Sequence, residues 1–311
     1  MIYIVGGANM DIYGKSNSHL RSHDSNIGKV RMAHGGVGRN ITESLARLSC
    51  PVEFQSAFGN DEFATVLLNR LRELHIGLSN SLHFPQESTS IYLAVLDEQG
   101  DMNIAICDND VIHRLTPQDV IDFVSKASSD DILVMDTNLR EELIIAAIEN
   151  SKAKIFIDPL SQEKALKIKE HLHSIYALKP NVYEAEVIYG KEIKTQADLY
   201  QAGTFFMEQG IKHLYISLGE NGMYYRSPTQ SKWIKTPRQP MVNASGAGDA
   251  CMAGIIYGHS HALCVEEIVE LAMSNAVLAL RSEDTVPSDL CEETLKKTRE
   301  TLVFEWRNIE C

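Results

Sequence analysis

The sequence predicts a doubly wound α/β fold, with a mostly parallel sheet and helices on both of its faces. Three observations carry that expectation. Apolar runs of strand length recur along the chain, most of them continuous rather than alternating, as suits strands covered on both faces. Longer segments with helical spacing separate them. No internal repeat, low-complexity tract or Pro/Gly/Ser linker divides the 311 residues, so a single domain over 1–311 is expected.

Taken in order, residues 2–5, 52–56, 132–135, 155–157, 175–178 and 214–218 read as strands. A helix over 40–48 follows a glycine cluster. The next, over 61–74, opens on Asp61 as a cap and carries Phe63, Val66, Leu67, Leu71 and Leu74 at helical spacing. Further helices are expected over 141–149, 181–189, 196–209, 247–257 and 266–280. Three stretches resist this alternation. Residues 29–33, 90–96 and 103–107 read as exposed strands, the last two joined by the hairpin turn Asp97-Glu98-Gln99-Gly100-Asp101. They form either a small sheet acting as a lid, from segments about 12–34 and 82–110, or an edge extension of the main sheet.

Charge and cysteine usage narrow the class of function. The chain has 29 Lys and Arg against 42 Asp and Glu, a net charge of −13, which argues against a nucleic-acid polymer as partner. None of the six cysteines is paired at C-x-x-C spacing, so no zinc ribbon or thioredoxin-type site is expected. The start Met1-Ile2-Tyr3-Ile4-Val5 lacks the features of a signal peptide, and no apolar stretch approaches the ~20 residues of a membrane span. A cytoplasmic protein is the expectation.

The strongest local signal is Asn243-Ala244-Ser245-Gly246-Ala247-Gly248-Asp249, just before a helix rich in small residues. Glycines there let backbone N–H groups approach an anion, which the helix dipole also favours. An aspartate beside them is odd for a loop that only holds phosphate. It makes sense as a base taking a proton from a hydroxyl during phosphoryl transfer, or else as a plain helix cap. Gly35-Gly36-Val37-Gly38-Arg39-Asn40 also opens a helix but is no dinucleotide fingerprint, because Ile41 stands where the last glycine is required. Two adjacent glycines would let a sugar lie against backbone, with Asn40 reaching up to it.

Asn9-Met10-Asp11 puts a carboxylate suited to paired hydroxyls at the carboxyl end of the sheet, where α/β ligands bind. Gly14-Lys15-Ser16 looks like the tail of a P-loop, but Asn9 occupies the position of the required earlier glycine. Asn181 and Glu184 share a helix face and could order Mg²⁺ and its waters, or simply form a capping box. Ser217-Leu218-Gly219-Glu220-Asn221-Gly222 either approaches a nucleotide or makes an ordinary hairpin. The pairs His171/His173 and His259/His261 splay on a helix and read as surface residues, not metal ligands.

In this order the motifs resemble the PfkB, or ribokinase, family of carbohydrate and nucleoside kinases, from Ile4 to about Pro287. The resemblance rests on Gly35-Gly36 with Asn40, on Asn181-x-x-Glu184, and on Gly246-Ala247-Gly248-Asp249. It implies a ribokinase-like fold with a β-sheet lid, and ATP and Mg²⁺ as co-substrate and cofactor. By the same resemblance Asp249 is the catalytic base, and the N–H groups of Gly246, Ala247 and Gly248 form the anion hole. Glu184 and Asn181 organise Mg²⁺ and phosphate, while Asp11, Gly36 and Asn40 hold sugar hydroxyls, with Asn9 and Gly35 beside them. Ser217, Gly219 and Gly222 line the ATP site, with Asn275 near adenine. Asn243-Ala244 replaces the Asp-Thr pair that helps build a monovalent-cation site in many relatives, so the resemblance leaves K⁺ activation in doubt.

Within the family, Asp24-Ser25-Asn26-Ile27-Gly28-Lys29 followed by Gly35-Gly36-Val37-Gly38-Arg39-Asn40-Ile41 resembles the pseudouridine-phosphorylating branch. That branch implies a C-linked uracil addressed by Asp24, Ser25 and Asn26 from the lid, and Asn138 as a further sugar contact. The alternative for 24–26 is a polar lid loop that only makes a turn. Two other readings stay open: a ribokinase-like or other nucleoside kinase, and a catalytically idle binding protein acting as a sensor. Lid strands with open edges imply a homodimer.

Overall fold

A computed structural model describes residues 1–310 of the chain. Nine strands form the central sheet, in the spatial order Glu305–Asn308, Ser231–Lys235, Met223–Arg226, His213–Ser217, Ala177–Leu178, Lys154–Asp158, Ile132–Asp136, Ile2–Val5, Val52–Gln55. The last six named are parallel and the first three add antiparallel pairings. Continuous apolar runs become fully covered strands; all five residues of Ile132–Asp136 are buried.

Alternating residues on each strand feed two cores. Ile4, Phe54, Val134 and Phe156 meet the helices Val37–Arg47, Ala247–Ser260 and Val265–Arg281 on one face. Val5, Leu133, Met135 and Ile157 meet Pro117–Val124, Glu141–Asn150, Val182–Tyr189 and Gln196–Glu208 on the other. The strand Ile2–Val5 is flanked by Val52–Gln55 on one side and Ile132–Asp136 on the other, so the chain reverses its winding beside it. A crevice at the carboxyl ends of the strands therefore opens there.

The exposed strands form a separate four-stranded lid, not an edge extension, in the order Gly28–Gly35, Asn9–Ser16, Ile91–Leu96, Met102–Asp108. Its register puts Ala33, Asp11, Tyr92 and Cys107 in one row and Arg31, Tyr13, Ala94 and Ala105 in the next. These two rows lie on one face, the face that carries Asp11. The opposite face carries the rows Met32, Ile12, Leu93, Ile106 and Val30, Gly14, Val95, Ile104.

Several expectations need correction. Asn9–Ser16 is an eight-residue lid strand, so the first lid segment starts at residue 9 instead of about 12, and it absorbs the P-loop look-alike. The helix expected from residue 40 begins at Val37, because Gly36 turns the backbone at φ 93°. Leu82–His83 pairs with Ala57–Phe58 outside the lid, so the second lid segment starts at residue 91. The strand Glu305–Asn308 and the helices Pro117–Val124 and Glu292–Thr301 went unread because their apolar content is low or short.

Candidate active site

Charged residues that end the parallel strands converge on the crevice. Asp136 closes its strand, and its Oδ2 accepts from the backbone N–H of Gly7 and of Gly38, each at 2.8 Å. Its Oδ1 accepts from Asn138 N–H at 2.8 Å. One buried carboxylate thus locks the turn after the first strand to the start of the helix Val37–Arg47. Gly36 lies against Gly7 and Ala8, and a Cβ there would stand 2.5 Å from the Gly7 carbonyl. The glycine pair therefore lets two backbones touch; at Gly35 the space is filled by the Asp11 carboxylate and the Asn9 amide.

Asp11 is held by Asn9 Nδ2 and, at 3.1 Å, by the Tyr13 hydroxyl. Burial raises its pKa, against those two donors and the Arg39 charge. Asn40 reaches from the first turn of its helix, and its Nδ2 donates to Asp249 Oδ2 at 2.7 Å. The proposed acceptor contact and the proposed base are thereby joined directly. Gly246, in the left-handed region at φ 81°, packs on the Thr285 carbonyl and opens the helix Ala247–Ser260 without a side-chain cap. The N–H groups of Ala247 and Gly248 stand in the first turn, where no intrahelical acceptor exists, so they can receive an anion.

Behind that turn lies the ion pair Lys179–Asp158, 3.0 Å long and almost wholly buried. Lys179 Nζ comes within 3.6 Å of where a Gly248 Cβ would be, so its charge would favour an anion at this turn. Burial opposes that charge, but Asp158, with Cys251 and Glu184, outweighs it, and Lys179 stays protonated well above neutrality. Asp249 is pushed up to about 7, first by loss of hydration and then by the carboxylates of Asp158 and Asp136; Asn40 and Lys179 pull the other way. A carboxylate titrating near neutrality suits a general base.

The remaining sequence-stated positions divide. Asn181 and Glu184 form the capping box: Asn181 N–H donates to Glu184 Oε2 at 2.9 Å, and Glu184 N–H donates to Asn181 Oδ1 at 2.9 Å. Asn181 Nδ2 also donates to Oε1 at 2.7 Å. Burial raises the Glu184 pKa, and Lys179 opposes it. Ser217 sits beside Asn181, its N–H donating to the Pro180 carbonyl. Gly219 and Gly222 flank a short 3-10 turn into an antiparallel strand, the hairpin-like reading, and Gly219 stays open on its outer side.

Asn138 accepts from Lys164 Nζ at 2.6 Å and lies against Gly7. Asn275 is fully buried and donates to the Ala250 carbonyl at 2.8 Å, so it braces the helix behind the anion hole instead of facing an open nucleotide site. Asp24, Ser25 and Asn26 are exposed. Asn26 bonds to Arg21 and Asp24 and closes a turn in this loop. His259 is no surface residue either; it packs with Phe156, Tyr176, Tyr215 and His213. Sequence reading missed Asp136, Asp158, Lys179 and Arg39. The first three had a usable signal, since each stands at or just past the end of an apolar strand run.

A model of the pfkB family of carbohydrate kinases matches residues 1–290. The chain belongs to that family. Pseudouridine kinase of Escherichia coli (strain K12) is 33% identical over 294 residues, 93% of each chain. Ribokinase of Staphylococcus aureus (strain COL) is 23% identical over 82% of this chain and 84% of that one. A solved structure from Clostridium perfringens superposes with a TM-score of 0.88 at 30% identity, covering 100% of this chain and 98% of that one. As a PfkB kinase the protein transfers phosphoryl groups to the hydroxyl of a sugar or nucleoside. Among the described residues no helix is long and apolar enough to cross a membrane.

Proposed function

We propose that this PfkB kinase transfers the γ-phosphoryl group of ATP to the 5′-hydroxyl of pseudouridine, giving pseudouridine 5′-phosphate and ADP. The observation that carries the catalytic part is the Asn40–Asp249 hydrogen bond beside an uncapped helix N-terminus. The acceptor hydroxyl approaches Asp249, which takes its proton as the oxygen bonds to phosphorus and the bond to ADP breaks. The N–H groups at Gly246, Ala247 and Gly248, backed by Lys179, stabilise the charge on the transferring group. Asp11 and Asn40 hold the sugar, with Asn9, Gly35, Gly36 and Asn138 around it. Ser217, Gly219 and Gly222 line the nucleotide side.

Among the described residues no group of three or more His, Cys, Asp or Glu side chains is arranged to hold a metal. Mg²⁺ in a kinase rests on nucleotide phosphates, water and one or two carboxylates. Here the buried Glu184, steadied by Asn181, would hold it, and it would neutralise phosphate charge. The reading includes no K⁺ requirement, since Asn243 offers an amide that donates to the Glu283 carbonyl.

The pseudouridine assignment is supported by the Escherichia coli relative and by the aromatic pair Tyr13–Tyr92, 6.5 Å between ring centroids, on the acceptor face of the lid. The test is ADP release from ATP-Mg²⁺ with pseudouridine, uridine, ribose, adenosine and fructose offered separately. A rate with pseudouridine far above the rest, reduced about 10²–10⁴-fold in Asp249→Asn, is expected. Preference for ribose or another nucleoside would keep the kinase and overturn the acceptor. ATP cleavage independent of any acceptor would favour a sensor.

A further inference from the structure

We infer that Arg39 is a positioning residue for the transfer, fixing which end of the Asn40 amide faces Asp249. The inference rests on the reading of Asp249 as base and Asn40 as acceptor contact. An asparagine amide has a donor end and an acceptor end of nearly equal shape, so something must choose between them. Toward the crevice, Asn40 Nδ2 meets the Asp249 carboxylate. From behind, its Oδ1 accepts from the Arg39 guanidinium; the Thr285 hydroxyl stands 3.3 Å away and shares its one proton with the His34 carbonyl at 3.0 Å. A guanidinium has no acceptor. Turning the amide over would set donor against donor behind and oxygen against carboxylate in front.

Arg39 is itself held from all sides. It is 1% exposed, and its Nε donates to the Gly35 carbonyl at 3.0 Å. One terminal nitrogen donates to the His34 carbonyl at 2.8 Å and to Thr285 Oγ1 at 3.2 Å. The other pairs with Glu43. Glu43 is clamped in turn by Arg47 at 2.9 Å and Arg70 at 2.8 Å. His34 and Gly35 end the lid strand, and the Thr285 carbonyl carries Gly246 of the anion loop. A single planar side chain thus refers the acceptor-holding amide to the lid and to the phosphate loop. A lysine cannot span those acceptors with one ammonium.

The readout that separates positioning from mere stability is the pH dependence of kcat/KM. Besides Asn40, the groups acting on Asp249 are Asp158, Lys179 and Asp136 from the strand ends, and Arg39 across the helix. Losing the Asn40 donor leaves the carboxylate less stabilised, so the acid limb moves to higher pH. The experiment measures kcat/KM against pH for Arg39→Lys and Thr285→Val, with ATP-Mg²⁺ and whichever of pseudouridine or ribose the acceptor panel returns, together with melting temperature.

The expected result is a limb raised by about half a pH unit or more in Arg39→Lys and less in Thr285→Val. The kcat/KM loss of Arg39→Lys should also shrink or vanish in an Asn40→Ala background. Unmoved limbs in both folded variants, or the same fold-loss with and without Asn40, would overturn the inference. Should Arg39→Lys not fold, Thr285→Val decides alone. Full activity in Asp249→Asn would instead overturn the base reading beneath it.

Discussion

Asp249, the proposed base, is half-buried and feels the charges of two other carboxylates, whereas a base must shed its proton. Burial and the charges of Asp158 and Asp136 lift it to about 7, while Asn40 and Lys179 limit the rise. The free enzyme's kcat/KM should therefore fall below about pH 7, because protonated Asp249 cannot accept the hydroxyl proton. A limb lying near pH 4, where an ordinary carboxylate titrates, would contradict this electrostatic account. At this scale the sequence singled out Asp249, Asn40 and Asp11 as candidates but not the charges around them. Asp158 and Lys179 are 21 positions apart, and Arg39 reads as one more charge on a helix. Ion pairing across strands is a product of the fold.

Among the elements, the glycine turn and the lid each make a definite claim. Gly36 needs φ 93° and has the Gly7 carbonyl and Ala8 Cα where a side chain would go. Gly36→Ala should cost at least the ~1–2 kcal/mol of left-handed strain and raise KM for the acceptor more than for ATP. Equal effects on both would mean the turn serves only stability.

The lid's outer face is apolar in register: Met32 is 62% exposed, Ile106 62% and Val30 75%. We propose that a second copy covers it, giving a homodimer through the lid strands. Ile106→Lys should shift a dimer to monomer in sedimentation; a monomeric wild type would refute the proposal. The hairpin at 97–101 was legible from its turn residues. The strand Asn9–Ser16 was not, because Gly14, Lys15 and Ser16 have poor strand propensity and are held by neighbours on both sides.

Over the whole molecule, two histidines lie below the sheet at the far end of the helix that begins at Gly246. His259 Nε2 meets the Tyr215 hydroxyl at 2.8 Å and His213 Nδ1 meets that of Tyr225 at 2.9 Å. Burial lowers their pKa values to about 3 and about 4, with Lys154 acting the same way on both. The unfolded chain then binds protons that the fold refuses, so their contribution to stability is present above about pH 6.5 and is lost as pH falls toward 4. His259→Gln, which can still bond Tyr215, should lose less melting temperature between pH 7 and pH 5 than the wild type; an equal loss would exclude this source. By itself the sequence determined the sheet-and-helix alternation, the exposed strands that break it, the family and the three motifs, since each is written in local spacing and turn chemistry. Only the tertiary structure decided which charges meet at the strand ends, that Asn40 is bonded to Asp249, and that the exposed strands stand apart as a lid. Those outcomes depend on burial and on contacts between distant segments, and a linear pattern specifies neither.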